Sequence, residues 1–182
     1  MADIEVRMGD IMALEGSQNL ITSGVGSCLV VTLYDPRLQI GALAHTLLPS
    51  KARHNTDYEQ NISASLPVGA SSSGQKCMVA EQVSTKTSDT KYVDVAIDKM
   101  LRGLDAKGAK RGDLEAKLIG GANMFPSFIL GTDDIGKENV LSAKDKLKKE
   151  GIRIVGECVG GSQGRSVEFS PTTGVVTVKV KF

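Results

Sequence analysis

The sequence predicts an α/β fold: a layered sandwich of mixed β-sheet flanked by helices, built as a single domain over residues 1–182 with a long polar loop insertion at about 50–90. Three observations carry this expectation. Apolar, β-branched runs occur at both ends of the chain, two amphipathic helical periods lie between them, and a chain of 182 residues suits one sizeable core.

The chain up to about Leu48 reads as β-rich. Cys28 to Leu33 is a short apolar run closed by the turn Tyr34-Asp35-Pro36, and Ile40 to Leu48 reads as the next extended segment. In that second strand Leu43, His45 and Leu47 would share one face. From Pro49 to Lys91 the composition turns to Ser, Thr, Asn, Gln and Lys without a sustained period. Such a stretch is far longer than the usual connection of ~4–6 residues. It reads either as a surface loop or as a flap tethered at Leu66-Pro67-Val68 and Cys77-Met78-Val79.

Val93, Ile97, Met100, Leu101 and Leu104 form one helical face, with Gly108 as a stop. A strand from Leu114 to Ile119 follows, then Gly120-Gly121. The second helix is expected from about Lys137 to Glu150, with Val140, Ala143 and Leu147 on one face. Lysines crowd its last turns, and Gly151 ends it. Its strand, Ile152 to Glu157, also leads to a glycine pair, Gly160-Gly161. Arg165 to Ser170 and Val175 to Phe182 flank Pro171-Thr172-Thr173-Gly174, a terminal hairpin.

Composition narrows the function classes. The formal net charge is +1, from 22 basic and 21 acidic residues, which gives no electrostatic reason to expect nucleic acid or an anionic membrane. Aromatic residues are 4% with no Trp, so base-stacking platforms are not expected either. No stretch approaches the ~20 apolar residues of a membrane span. Cys28, Cys77 and Cys158 are odd in number and widely spaced, which predicts free thiols and a cytoplasmic setting. The candidates Cys28, His45, His54, Cys77 and Cys158 lack close ligand spacing, so no metal is expected.

The chemically informative segment is Thr22-Ser23-Gly24-Val25-Gly26-Ser27-Cys28. A thiol follows a Gly-x-Gly-Ser turn where a loop meets an apolar strand. Glycines permit sharp turns and close approach to a substrate, and backbone N–H groups at Gly26, Ser27 and Cys28 can point at an oxyanion. Free Cys is only a few per cent thiolate near neutrality, so a base is needed. His45 lies in the adjacent expected strand, and neighbouring strands are ~4.8 Å apart. By pattern alone, Cys28 and His45 read as core residues before catalytic ones, Gly120-Gly121 and Gly160-Gly161 as tight turns or as walls of a cleft, and Arg165 as a substrate contact or an ion-pair residue. On the catalytic reading, Cys28 should be alkylated faster than Cys77 or Cys158, because a paired imidazole raises its thiolate fraction.

Several motifs, in order, resemble the CheD family: Gly24-Val25-Gly26-Ser27-Cys28-Leu29-Val30-Val31, Tyr34-Asp35-Pro36, Gly41-Ala42-Leu43-Ala44-His45 and Leu48-Pro49, then Lys91-Tyr92-Val93-Asp94-Val95-Ala96-Ile97. Gly120-Gly121-Ala122-Asn123-Met124-Phe125, Ile135-Gly136-Lys137-Glu138-Asn139-Val140 and Gly160-Gly161-Ser162-Gln163-Gly164-Arg165 complete the series. The resemblance implies hydrolysis of glutamine side-chain amides in chemoreceptor signalling domains, without a cofactor. It places the family's catalytic Cys, His and Thr on Cys28, His45 and Thr22, and implies a protein partner, the chemotaxis phosphatase CheC. The departure is the stretch from 50 to 90, longer than expected for the family. Two other readings fit the same residues: a thiol amidohydrolase acting on another protein, as in cytotoxic necrotizing factor toxins, and a binding module that regulates a CheC-type phosphatase.

Overall fold

Alternation along two adjacent strands decides the layering. In the strand Leu29–Asp35, residues Leu29, Val31 and Leu33 enter one apolar cluster and Val30 enters another; in Ile40–Thr46, Ile40, Ala42 and Ala44 join the first and Leu43 the second. A strand buried on both faces needs a continuous apolar run, which explains why Cys28 to Leu33 carries one. Helices cover one face and a second sheet covers the other.

The computed structural model describes residues 3–51, 89–123 and 134–180. Within them the strands are β1 Ile4–Glu5, β2 Ile11–Glu15, β3 Leu20–Val25, β4 Leu29–Asp35, β5 Ile40–Thr46, β6 Glu115–Gly120, β7 Arg153–Val159, β8 Arg165–Phe169 and β9 Val176–Val180. The helices are α1 Val93–Asp105 and α2 Ile135–Lys149. One sheet has the order β1-β3-β8-β9 and the other β2-β5-β4-β6-β7, and each mixes parallel and antiparallel pairs. The fold is an α/β sandwich with sheets back to back, and both helices lie on the outer face of the five-stranded sheet.

The core has two compartments. Leu20, Val25, Val167 and Phe169 of the four-stranded sheet meet Val30, Leu43 and Ile119 of the other. Phe169 lies so close to Gly41 that a Cβ there would fall 2.5 Å from its ring. The helix compartment holds Val93, Ala96, Ile97, Met100, Leu101 and Leu104 of α1 with Val140, Ala143 and Leu147 of α2. The expected helical faces are therefore the buried ones. Helix α2 starts two residues before the expected Lys137, because the Asp134 side chain caps it by accepting from the Lys137 N–H at 3.1 Å. Strand β7 runs two residues beyond the expected Glu157, since its parallel pairing with β6 continues to Gly120 opposite Val159.

Most of the polar stretch expected as a loop, with its anchors at 66–68 and 77–79, His54 and Cys77, lies outside the described residues. Its two stems are described, and they are clasped together. Leu48 and Tyr92 form a parallel bridge, and the Lys91 carbonyl accepts from Leu47 N–H at 2.8 Å and Leu48 N–H at 3.0 Å. Ser50 Oγ donates to Asp94 Oδ2 at 2.8 Å, Lys51 Nζ pairs with Asp89 at 2.8 Å, and the Ser142 hydroxyl of α2 donates to the Pro49 carbonyl.

Candidate active site

Strand β3 belongs to one sheet and β4 to the other, so the turn between them, Gly26-Ser27-Cys28, carries the chain across the sandwich. Just before it β3 is irregular. Thr22 pairs with Val167 and Val25 with Arg165, so three steps on β3 match two on β8. The extra residue is a bulge, with Gly24 at φ 73°, and it lets both Thr22 and Val25 face inward.

The inward Thr22 meets His45 of the opposite sheet. Thr22 Oγ1 and His45 Nδ1 lie 2.8 Å apart in a buried contact. His45 is only 1% exposed, and its Nε2 has no hydrogen-bond partner among the described residues. When the proton sits on Nδ1, Thr22 accepts it and Nε2 is left with a lone pair, the form a base requires. Val30 lies directly opposite His45 in the β4–β5 register. Cys28 lies two residues before Val30, in the turn that precedes β4. Carried back along the chain, the alternation of β4 would set position 28 on Val30's side, and diagonal pairs in regular strands are about 7–8 Å apart.

The turn is held by its carbonyls. Gly26 O accepts from Ala122 N–H at 2.8 Å, Cys28 O from Gly121 N–H at 2.7 Å, and Leu29 O from Thr46 Oγ1 at 2.9 Å. Ser27 O accepts from Asn139 Nδ2 at 3.0 Å. A planar peptide directs its N–H opposite to its C=O, so the N–H groups of Ser27 and Cys28 turn away from these anchors.

Gly120 and Gly121 pack against backbone where a side chain would not fit. A Cβ on Gly120, at φ 116°, would fall 2.3 Å from the Cys28 carbonyl oxygen, and one on Gly121 would fall 2.7 Å from the carbonyl oxygen of Gly136 at the start of α2. Gly160 and Gly161 dock behind them: Gly160 N–H donates to Gly120 O at 2.9 Å, and Gly161 O accepts from Asn123 N–H at 2.8 Å. Arg165 ties the two glycine pairs together. Its buried guanidinium donates to the carbonyls of Gly120 at 3.1 Å, Cys158 at 2.9 Å and Gly160 at 2.5 Å.

Electrostatics sets the resting protonation. Burial pushes His45 down to about 4, and raises the Cys28 thiol above its ordinary value, opposed in part by the residue's own backbone N–H. Both shifts favour a neutral thiol beside a neutral imidazole near pH 7. Both directions run against the expectation that His45 raises the resting thiolate fraction of Cys28. Cys28 and Cys158 are both free thiols.

Sequence reasoning gave no role to Asn139, and left that of Arg165 open between a substrate contact and an ion pair. Asn139 had a readable signal: Gly136, Asn139, Ala143 and Leu147 recur at helical spacing, which sets an amide on the buried stripe. A groove of about 260 Å³ on the four-stranded sheet borders Thr22, Glu5, Glu168 and Lys179 but includes neither Cys28 nor His45. Among the described residues no group of three or more His, Cys, Asp or Glu side chains is placed to hold a metal ion, and no helix is long and apolar enough to cross a membrane.

A sandwich that sets a thiol on the turn between its sheets, and an imidazole held by a hydroxyl on the strand paired with the one after that turn, can support nucleophilic acyl transfer at an amide. Comparison with known proteins identifies the family. The model for CheD, described as chemotactic sensory transduction, matches residues 78–180. That match begins beyond Cys28 and His45, but full-length relatives cover the first half as well. The chain is 35% identical to a chemoreceptor glutamine deamidase CheD of Halalkalibacterium halodurans, over 97% of this chain and 92% of that one. It is 33% identical to a probable chemoreceptor glutamine deamidase CheD of Pyrococcus horikoshii, over 98% and 93% respectively. A probable CheD of Methanococcus vannielii is 35% identical over 97% and 94%. The chain belongs to the CheD family.

Proposed function

We propose that this protein is a cysteine-dependent glutamine deamidase that converts glutamine side chains of chemoreceptor signalling domains to glutamate and ammonia. The observation that carries the reading is the buried Thr22–His45 contact, which holds the imidazole and leaves its Nε2 unpartnered among the described residues. The relatives' names supply the substrate class.

The chemistry follows from the groups present. Sγ of Cys28 attacks the carboxamide carbon while its proton passes to His45 Nε2, and the carbonyl electrons move onto oxygen. The N–H groups of Ser27 and Cys28, with carbonyls tied back, face that oxyanion. When the intermediate collapses, the C–N bond breaks and His45 returns the proton to the leaving nitrogen, which departs as ammonia. Water then attacks the thioester as His45 takes its proton, and collapse releases the glutamate carboxyl and regenerates the thiol. Thr22 keeps the ring oriented throughout. No step needs a cofactor.

We place the protein in the cytoplasm, and a CheC-type phosphatase is the partner that the family suggests. The decisive experiment incubates the protein with a helical, Gln-bearing receptor fragment and follows amide-to-acid conversion by mass. Cys28→Ala should abolish conversion while the fold persists. Wild-type turnover in Cys28→Ala would end the thiol mechanism, and no turnover by the unaltered protein would favour the binding-module reading.

A further inference from the structure

Asn139 occupies the second turn of α2 with 0% exposure, on a stripe otherwise suited to apolar packing. An amide buried in a helix interior is unfavourable by propensity and by desolvation unless its hydrogen bonds are made. Its Nδ2 makes two, both 3.0 Å long, to Ser27 O and Leu47 O, whereas its buried Oδ1 has no partner among the described residues. Both neighbours are carbonyl oxygens, so the atom facing them must be the nitrogen, the end of the amide that donates. One side chain thus binds the residue before Cys28 and the residue two beyond His45.

The Ser27 carbonyl and the Cys28 N–H are opposite ends of one peptide plane. Held from the α2 side, the carbonyl turns that N–H away from the helix, and the same N–H favours the thiolate of its own residue. We infer that Asn139 is a positioning residue: its amide fixes the Ser27–Cys28 peptide so that the Cys28 N–H is preorganised to donate to the oxyanion, and through Leu47 it holds this donor in register with His45. The inference rests on the reading that Cys28 attacks an amide carbon. A loosened donor stabilises the tetrahedral intermediate less while leaving substrate binding and the thiol itself in place.

The test uses Asn139→Ala and Asn139→Ser in the full chain, with Cys28→Ala alongside. For each, kcat and KM are measured on a Gln-bearing receptor fragment, together with the rate of Cys28 alkylation by iodoacetamide and the melting temperature. Alkylation is displacement at a saturated carbon, so it uses the thiol but develops no carbonyl oxyanion. The expected result is a kcat about 10- to 100-fold lower, as for a weakened oxyanion donor. KM should stay within about twofold of wild type, and the alkylation rate, which feels the same N–H only through the thiol, should fall far less than kcat. Unchanged kcat in a folded variant would overturn the inference. A parallel fall in kcat and alkylation, or failure of both variants to fold, would assign Asn139 to stability alone and overturn it too. Turnover retained by Cys28→Ala sinks the amidohydrolase reading itself, whereas turnover retained by the Asn139 variants while Cys28→Ala is dead sinks only this inference.

Discussion

Thr22 and His45 sit on different sheets, and their 2.8 Å contact crosses the interior of the sandwich. Each sheet alone would leave one of these polar groups buried without a partner, which is costly. The contact thus joins the packing of the two layers to the direction in which Nε2 points. Sliding one sheet over the other would break both together.

Removing the Thr22 hydroxyl should lower activity without abolishing it. Thr22→Val is expected to fall between wild type and His45→Ala in kcat, and Thr22→Ser should keep most of the activity. Leaving Nδ1 unsatisfied should also cost about 1–3 kcal/mol in urea unfolding. His54→Ala should change little; a larger loss there than in His45→Ala would show that His54 is the base.

His45 also predicts how stability varies with pH. Its folded value is lowered to about 4 against an ordinary 6.5. Between those values the unfolded chain takes up a proton that the folded state refuses. Its contribution is therefore fully present above pH 6.5 and is lost as pH falls toward 4. The shift corresponds to about 3 kcal/mol. Urea unfolding from pH 4 to 7.5 should show this slope in wild type and a shallower one in His45→Gln. Equal slopes would mean that the buried imidazole is not the group responsible.

Gly120 should tolerate no side chain. Gly120→Ala combines a φ of 116° with a Cβ 2.3 Å from the Cys28 carbonyl oxygen, so backbone must move at Cys28 itself. We expect a loss of more than about 10-fold in kcat and about 2 kcal/mol or more in stability. Gly24→Ala is the control: φ is 73° but nothing lies within 4 Å, so only backbone strain of about 1 kcal/mol is expected. Similar turnover losses in the two variants would argue against a specific role for the Gly120 contact.

How much of this was readable depended on the distance over which each feature is set. Local period gave both helices and the terminal hairpin, because Val93, Ile97, Met100, Leu101 and Leu104 bury one face whatever they pack against. The β4–β5 hairpin was legible for the same reason. The division into two sheets was not, since alternation along Leu20–Val25 is the same whichever strand lies beside it. Strand β1 is two residues long, too short for any period. At the site, the Cys-after-glycine turn and family resemblance pointed to Cys28, His45 and Thr22. The parts played by Asn139 and Arg165 arise from contacts 112 and 45 residues away in sequence, to Ser27 and Gly120, and no spacing rule reaches that far.

The clasp formed by residues 47–51 and 89–94 fastens the exit of β5 to the start of α1, and through the Ser142 hydroxyl on the Pro49 carbonyl to α2 as well. The strand that carries His45 is thus moored at its far end to both helices. A slip of β5 along its own axis would have to tear those bonds before it could carry the imidazole away from Thr22.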